Sequence, residues 1–200
     1  MTNTTAVSDK EKTFWNWFIT HKEAFYFNEK NPEDLFDKLT EQLKAVHENL
    51  TFEFSPVHPN GIKELTISAD GIKAAFPAVI SLIKSAPEDK NWQFNAFRQR
   101  VPGDHLEISM GNLKMGYDDI YFRFAEDDDK IGLELNIRAY DPNNNTIKNA
   151  VFILLDALIG EYAMETKIGW MDWVELDGAN MDELMPLVEL RTIIDEMDPG

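Results

Sequence analysis

Two stretches of this 200-residue sequence, 70 positions apart, have nearly the same letters. The segment "ELTISAD" covers residues 64–70, and "ELNIRAY" covers residues 134–140. Across residues 50–70 the offset gives six identities, where about one is expected by chance at ordinary residue frequencies. The identical pairs are Phe52 and Phe122, Phe54 and Phe124, Glu64 and Glu134, Leu65 and Leu135, Ile67 and Ile137, and Ala69 and Ala139.

Two interpretations of this internal sequence similarity remain open. Unrelated amphipathic hairpins resemble one another, because Phe, Leu and Ile are common in strands, and this explains the apolar matches. A duplicated unit also explains the matching glutamates and the shared order of the elements downstream. That order is strand, strand, helix, strand in each half, as indicated by apolar periods of two and of three to four residues. The predicted strands are 50–54, 62–68 and 91–100 in the first half, and 118–125, 131–140 and 166–176 in the second.

These elements predict an α+β fold with a mixed, mostly antiparallel sheet. The sheet is built from two ββαβ-like repeats with helices packed on one face, and an N-terminal helical pair and a C-terminal helix are added. A chain of this length suits one domain, so we interpret residues 1–200 as a single domain. Its parts are the N-terminal helices at 8–50, the first ββαβ unit at 51–100, the second ββαβ unit with extra short strands at 104–176, and the C-terminal helix at 181–197.

Capping residues mark the starts of the two N-terminal helices. Ser8, with Glu11 three positions later, is a capping-box pattern, and Asn31 followed by Pro32 is typical of a first helical turn. The first helix is rich in aromatic residues, which suit either a binding surface or a face docked on the domain. We expect docking. The aromatic positions at helical spacing are Phe14, Trp17, Phe18 and Phe25.

Strand alternation predicts which side chains of the two hairpins face the core. Phe52, Phe54, Leu65, Ile67 and their second-half partners are expected to face the helices. The side chains expected on the opposite, polar face are Glu53, Glu64, Thr66, Ser68, Arg123, Glu134, Asn136 and Arg138. A second hairpin that closes with Glu126 opposite Ile131 places Arg123 across from Glu134. The equivalent register in the first hairpin places Glu53 opposite Glu64.

The charge of the chain limits its partners. The formal net charge is −17, whereas nucleic-acid binders need clustered Lys and Arg, so we expect no nucleic-acid partner. An anionic membrane surface is disfavoured for the same reason, and no apolar run approaches the length of a membrane span. A basic protein is the partner that this charge favours, although the charge also serves solubility alone. The sequence contains no cysteine and no secretory signal pattern at its start, which fits a cytoplasmic protein.

Arginine is scarce, and four of the five arginines fall on predicted strands. They could converge on the polar sheet face and bind a carboxylate, a phosphate or an acidic peptide. They could instead pair with the surplus of Asp and Glu, and this is the interpretation we favour. The candidate ligand-binding residues are Arg98, Arg123, Glu134 and Arg138.

No motif in the sequence assigns a reaction. The four histidines show no zinc-ligand spacing, and the acidic run "EDDDK" at 126–130 lacks the oxygen pattern of a calcium loop. The glycine patterns of phosphate and dinucleotide sites are missing, as is the serine motif of hydrolases. We therefore expect no metal and no cofactor, we name no catalytic residues, and whether the protein is an enzyme stays open.

The chain resembles a family of bacterial cytosolic proteins, a domain of unknown function. The resemblance rests on "LTFEF", "ELTISADG", "APEDKNW", and "LLDALIGEY" followed by "IGWMDWVEL", and it spans roughly residues 14–176. It implies a bacterial source and a compact α+β domain, and it implies no activity. Two functions follow as hypotheses. The first is a non-catalytic interaction or regulatory protein, and the alternative is a small-ligand-binding protein or enzyme that uses Arg and Glu residues of the polar sheet face.

Overall fold

The computed structural model describes residues 9–27, 32–179 and 181–197. These residues form two compact units, one within residues 1–98 and the other within residues 99–200. The predicted caps Ser8 and Asn31 lie outside the described residues. The α+β class is confirmed, as are the N-terminal helical pair and the C-terminal helix. The interpretation of residues 1–200 as one domain stays a prediction.

The first unit contains two helices followed by a three-stranded sheet with one crossover helix. Its elements are α1 (Asp9–Phe27), α2 (Pro32–Val46), β1 (Thr51–Phe54), β2 (Lys63–Ser68), α3 (Phe76–Lys84) and β3 (Trp92–Ala96). The sheet order is β1-β2-β3, with β1 antiparallel and β3 parallel to β2. Pro77 stands in the first turn of α3, where a residue without a free N–H is tolerated. The third strand ends earlier than predicted because Phe97 adopts φ 65°, which is incompatible with a strand.

The aromatic face of α1 builds the core of the first unit, which confirms the predicted docking. Of the four predicted residues, Phe14, Phe18 and Phe25 are buried there and Trp17 is only half-buried, whereas the neighbouring Trp15 is buried as well. The ring of Phe18 contacts the ring of Trp92 edge to face, with the ring centres 5.2 Å apart. The indole Nε1 of Trp15 donates a hydrogen bond of 2.9 Å to the carbonyl of Leu82 in α3, so its polar atom is satisfied inside the core.

The charged side chain of Lys63 is also buried in the first unit, at 3% exposure. Its Nζ donates to the carbonyl of Phe25 at 2.7 Å and lies 5.3 Å from the centre of the Phe54 ring. Burial disfavours the charged ammonium, and this lowers the pKa of Lys63.

The second unit contains a separate sheet and a short hairpin. Its elements are β4 (Glu107–Met110), β5 (Leu113–Gly116), β6 (Ile120–Asp127), β7 (Lys130–Ile137), α4 (Asn145–Ile159), α5 (Glu161–Lys167), β8 (Ile168–Glu175), β9 (Met185–Pro186) and α6 (Leu190–Glu196). The sheet order is β8-β7-β6-β9, and β4 pairs only with β5. The strands are thus divided among three sheets, whereas the sequence predicted one mixed sheet.

Several predicted boundaries in the second unit are wrong. For example, β7 ends at Ile137 rather than at residue 140. Residues 166–167 belong to α5 rather than to the strand, because the segment "EYAMETK" is rich in helix formers. The segment 181–197 is not one helix. Pro186 is extended and has no N–H, so α6 begins only at Leu190, after β9 and a short 3₁₀ turn.

The order strand, strand, helix, strand occurs in both units with the same pairing. In the first unit β1 and β2 are antiparallel and β3 is parallel to β2, and in the second unit β6 and β7 are antiparallel and β8 is parallel to β7. The second hairpin closes as predicted, with Glu126 opposite Ile131. The first hairpin does not have the equivalent register, because Glu53 faces Thr66 rather than Glu64. The difference is two residues, which preserves the faces of the strands because side chains alternate with a period of two.

The predicted burial is correct for most of the apolar residues and partly wrong for the polar ones. Phe52 and Phe54 are half-buried, and Phe124, which was expected in the core, is 41% exposed. Leu65, Ile67 and their second-half partners are fully buried. Ser68 and Asn136, expected on an open polar face, are buried as well. Their short side chains bond locally, since Ser68 Oγ accepts from the backbone N of Asp70 at 3.0 Å and Asn136 Nδ2 donates to Glu134 Oε1 at 3.1 Å.

The comparable tryptophans of the two halves have different environments. Trp92 is 5% exposed and lies opposite Lys63, whereas Trp170 is 43% exposed and lies opposite Gly132. The parallel pairing of β7 and β8 contains an irregularity between Ile131 and Gly132. A shift of one residue in the pairing register places a side chain on the opposite face of the sheet.

Arg191 of α6 fastens the start of the second unit to α4. Its guanidinium donates to the carbonyls of Leu158, Val101 and Gly103 at 3.2, 3.0 and 2.6 Å. It also pairs with Asp104 at 2.7 Å, and its Cζ lies 5.8 Å from the centre of the Tyr117 ring. The flat, five-donor guanidinium suits this set of acceptors.

No helix in the described ranges is both long enough and apolar enough to span a membrane.

Candidate functional site

Arg98, the first of the predicted ligand-binding residues, follows β3 in the first unit. Its Nη1 donates to Ser68 Oγ at 3.1 Å and to Asp70 Oδ1 at 2.7 Å, and it lies 3.6 Å from Glu53 Oε1. All three partners lie on or just beyond the neighbouring strands of the same sheet. Arg98 is therefore held by two carboxylates and a hydroxyl of its own unit.

Arg123 and Glu134, by contrast, are brought together. They face each other across β6 and β7, which confirms the predicted register. The Nη2 of Arg123 reaches Glu183 Oε2 at 3.2 Å, and both of these side chains are exposed. Glu134 Oε1 accepts from Asn136 Nδ2. An exposed ion pair such as that of Arg123 and Glu183 contributes at most about 1 kcal/mol to the free energy of unfolding.

Arg138 lies just beyond the end of β7, four residues from Glu134. Along a strand this separation is about 13 Å. The Nε of Arg138 donates to Asp119 Oδ1 at 2.9 Å, and its backbone N donates to the carbonyl of Asp119 at 2.8 Å. Within the second unit, Arg138 thus forms its own pair, apart from that of Arg123.

All five arginines of the chain are paired with carboxylates of their own unit. Besides the three above, Arg100 pairs with Asp195, and Arg191 pairs with Asp104. Pairing with an acid occupies donors that an anionic ligand would need. The structure therefore shows the arrangement in which the arginines offset neighbouring acids. Ligand binding by Arg98, Arg123, Glu134 and Arg138 stays a prediction.

A polar cluster centred on Glu64 lies on the first sheet. Glu64 Oε1 is 2.9 Å from His58 Nε2, and Glu64 Oε2 accepts from Asn95 Nδ2 at 2.5 Å. Gln93 Nε2 in turn donates to Asn95 Oδ1 at 2.9 Å. The parallel register of β2 and β3 places these side chains side by side. The cluster fixes the Glu64 carboxylate and ties the loop that carries His58 to the sheet.

A groove of about 830 Å³ opens in the second unit, within the size range of ligand-binding clefts. It lies where the tip of the β6–β7 hairpin meets α5 and the end of α6. Apolar side chains from all three elements form its floor, namely Phe124, Ile131, Tyr162, Ile193 and Met197. Phe124 is 41% exposed and Tyr162 is 47% exposed.

Carboxylates form the rim of this groove. Three of them, Glu126, Asp128 and Asp129, come from the hairpin tip, and Glu196 comes from α6. Asp128 adopts φ 55°, a left-handed conformation that Asp tolerates better than most residues and that closes the tight turn. Lys130 and Lys167 also line the groove, so carboxylates outnumber ammonium groups four to two. We call this site the acid-rimmed groove.

The sequence had indicated only a solvated turn at "EDDDK". Its acids were visible, and Phe124 and Ile131 lie close to them in the sequence. The other apolar residues of the groove, Tyr162, Ile193 and Met197, stand about 30 to 70 positions further along the chain, on or just after two different helices. α5, which continues to Lys167, and α6, which begins only at Leu190, bring those residues to the hairpin tip. Since both boundaries were predicted wrongly, no local pattern pointed to the groove.

A smaller groove of about 430 Å³ lies in the first unit, beside α2 and β1. Its charged residues are Lys44, Glu48 and Asp70, so it has no strong excess of one sign. Among the described residues, no group of three or more side chains is arranged to hold a metal ion.

Comparisons with protein-family models, curated proteins and solved structures gave no match to this chain. The resemblance to a bacterial family of unknown function accordingly stays a prediction.

Proposed function

We propose that this protein is a non-catalytic interaction or regulatory protein that binds a basic protein partner. The observation that carries this proposal is the pairing of all five arginines with carboxylates of their own unit. The chain has 36 acidic and 19 basic residues, so pairing every base with an acid still leaves an excess of 17 carboxylates. A cationic surface is the counterpart that such an excess attracts.

The physical consequence is binding that is guided by charge. Complementary potentials raise the rate of encounter and disfavour partners of the same sign. Because exposed charges are screened over about 8 Å at physiological ionic strength, the affinity should fall as salt is added. The proposal includes a bacterial, cytoplasmic setting, which rests on the resemblance and on the absence of cysteine.

A capture experiment tests this function. The tagged full-length chain is incubated at low salt with cytosol of its native source, and bound proteins are eluted with a salt gradient and identified. We expect a protein with a strongly basic surface that is released by salt. The failure to recover any such partner at low salt would overturn the proposal.

The alternative is a small-ligand-binding protein or enzyme, and the polar cluster around Glu64 favours it. His58, Glu64 and Asn95 form a hydrogen-bonded set on the sheet that also carries the pair of Arg98 and Asp70 at its end. A thermal-shift screen with phosphates, nucleotides, organic acids and metals tests this candidate. A true ligand at a concentration of a hundred times its Kd stabilises the folded state by about 2.7 kcal/mol, which clearly raises the midpoint of thermal unfolding. A screen without any stabilisation would remove the candidate.

A further inference from the structure

The floor of the acid-rimmed groove exposes large apolar side chains. Phe124 and Tyr162 each leave more than two-fifths of their surface open, at 41% and 47%, and Ile193 and Met197 are only partly buried. Covering apolar surface of this kind removes it from water, which is the main favourable contribution to most protein associations. A partner that places an apolar side chain on this floor gains that contribution.

The rim adds a charge requirement. Glu126, Asp128 and Asp129 stand at the hairpin tip, and Glu196 comes from α6. None of these four carboxylates forms an ion pair with any residue that the structure describes. All four are exposed, so their charges face solvent around the apolar floor. A cation held above this floor meets carboxylates from more than one element.

We propose that the acid-rimmed groove is the docking site for a short, basic, amphipathic segment of the partner protein. One or more large apolar side chains of the segment lie on Phe124 and Tyr162, and flanking Lys or Arg side chains pair with the rim. This is the usual division between apolar anchors and charged flanks in peptide recognition. The inference rests on the proposed function and names the surface and the kind of segment that serve it.

Charge decides between the candidate occupants. A second copy of this chain would bring another net charge of −17 to a rim that already has an excess of carboxylates. An anionic segment or a phosphate would face the same repulsion. A basic amphipathic segment complements both the floor and the rim, and we therefore select it as the occupant.

Two synthetic peptides of about 12 residues serve as probes, a length that spans an ordinary docked helix or strand. One consists of Lys and Leu, and the other has the same number of Lys residues with Ser in place of Leu. Their affinities for the full-length chain are measured by titration calorimetry. We expect the Lys/Leu peptide to bind at least about tenfold more tightly, because only its Leu side chains can use the floor.

Matched variants locate the site. Glu126→Gln combined with Glu196→Gln should weaken the binding of both peptides about tenfold, whereas Asp172→Asn combined with Glu175→Gln on β8 should change the affinity less than about twofold.

Phe124→Thr should weaken the binding of only the Lys/Leu peptide, by about tenfold, whereas Phe152→Thr should leave its affinity unchanged. Phe152 is a fair control because it is 44% exposed, close to the 41% of Phe124, and does not line the groove. Circular dichroism and the unfolding midpoint establish that each variant is folded.

The outcomes separate this inference from the proposed function. Equal affinity for the two peptides, no binding of either, or groove variants that bind like the controls would each overturn the groove as the docking site. The proposed function would still stand if a basic partner is captured from cytosol. If sedimentation shows a dimer that Phe124→Thr converts to a monomer, the occupant is a second copy and the inference is overturned.

Discussion

Gly132 of β7 lies directly against the indole ring of Trp170 on β8. A Cβ atom added to Gly132 would lie 1.8 Å from Cε2 of that ring. The two residues are register partners, and the ring covers the backbone where other residues would carry a side chain. Most residues of β8 are exposed, and Trp170 keeps more than half of its surface covered because its ring lies on Gly132.

Gly132→Ala should therefore destabilise the second unit. Overpacking of this kind costs about 1–3 kcal/mol, because the ring or the backbone must move. Urea unfolding followed by tryptophan fluorescence measures the change, and the native-state emission should shift to the red as Trp170 leaves its position. Adding Trp170→Ala to the variant should recover part of the loss.

Gly178→Ala is the matched control, since a Cβ atom at Gly178 meets no heavy atom within 4 Å. We expect its unfolding midpoint to stay close to that of the native chain. If Gly132→Ala were as stable as Gly178→Ala, with unchanged emission, the contact described for Trp170 would be incorrect.

Arg191→Lys should destabilise the second unit by about 1–2 kcal/mol. A lysine keeps the charge but cannot supply the several donors that now reach three backbone carbonyls and Asp104, and the carbonyl of the buried Leu158 is among the acceptors that lose their partner. Arg123→Lys makes the same chemical change at an exposed pair with Glu183, where the cost should stay below about 1 kcal/mol. Guanidinium unfolding compares the two variants, and equal losses would refute the bonding role of Arg191.

Phe18→Ala should cost about 3–5 kcal/mol in the first unit. Phe18 is fully buried on α1, whereas Phe27 at the end of the same helix is 68% exposed. Phe27→Ala removes the same group from a solvated position, and we expect it to be nearly neutral. Thermal unfolding of both variants measures the difference. A small effect of Phe18→Ala would contradict the docking of α1 through its aromatic face.

Lys63 should make the stability of the first unit depend on pH in the alkaline range. Burial lowers its pKa below the ordinary value of 10.5, so the folded state releases this proton at a lower pH than the unfolded state. Between the lowered pKa and 10.5 the unfolded state binds more protons, and the free energy of unfolding contributed by this residue rises with pH.

Lys63→Met, which cannot titrate, serves as the reference for this prediction. The stability of the native chain minus that of Lys63→Met should increase as pH is raised toward 10.5, as measured by urea unfolding at a series of pH values. Titrating tyrosines affect both proteins alike and cancel in the difference. A difference that stays constant or falls would show that burial does not lower the pKa of Lys63.

The sequence predicted the fold where the pattern was local and strongly periodic. The hairpins around Leu65 and Leu135 and the helix from Asn145 stand as expected, because alternation and helical spacing decide such segments. The division into separate sheets was not predictable. It depends on which strands become neighbours, and β9 has only two residues, Met185–Pro186, too few for any periodic signal.

The candidate site was harder to predict from the sequence than the fold. The polar face was predicted from alternation, yet Ser68 and Asn136 are buried, because alternation assigns a side chain to a face but does not show whether neighbouring elements cover it. The composition predicts that the arginines pair with acids, but it does not identify the partners. The partner of Arg191, for example, is Asp104, 87 residues away, and only the tertiary structure brings the two together.

Hydrogen exchange of the complex between the full-length chain and its captured basic partner tests the central claim most directly. The account predicts slowed exchange of backbone amides at the hairpin tip, in residues 124–131, and on the two helices that complete the groove, in residues 162–167 and 193–197. Slowing confined to residues 64–70 and 93–98, around Glu64 and Arg98 on the first sheet, would contradict it.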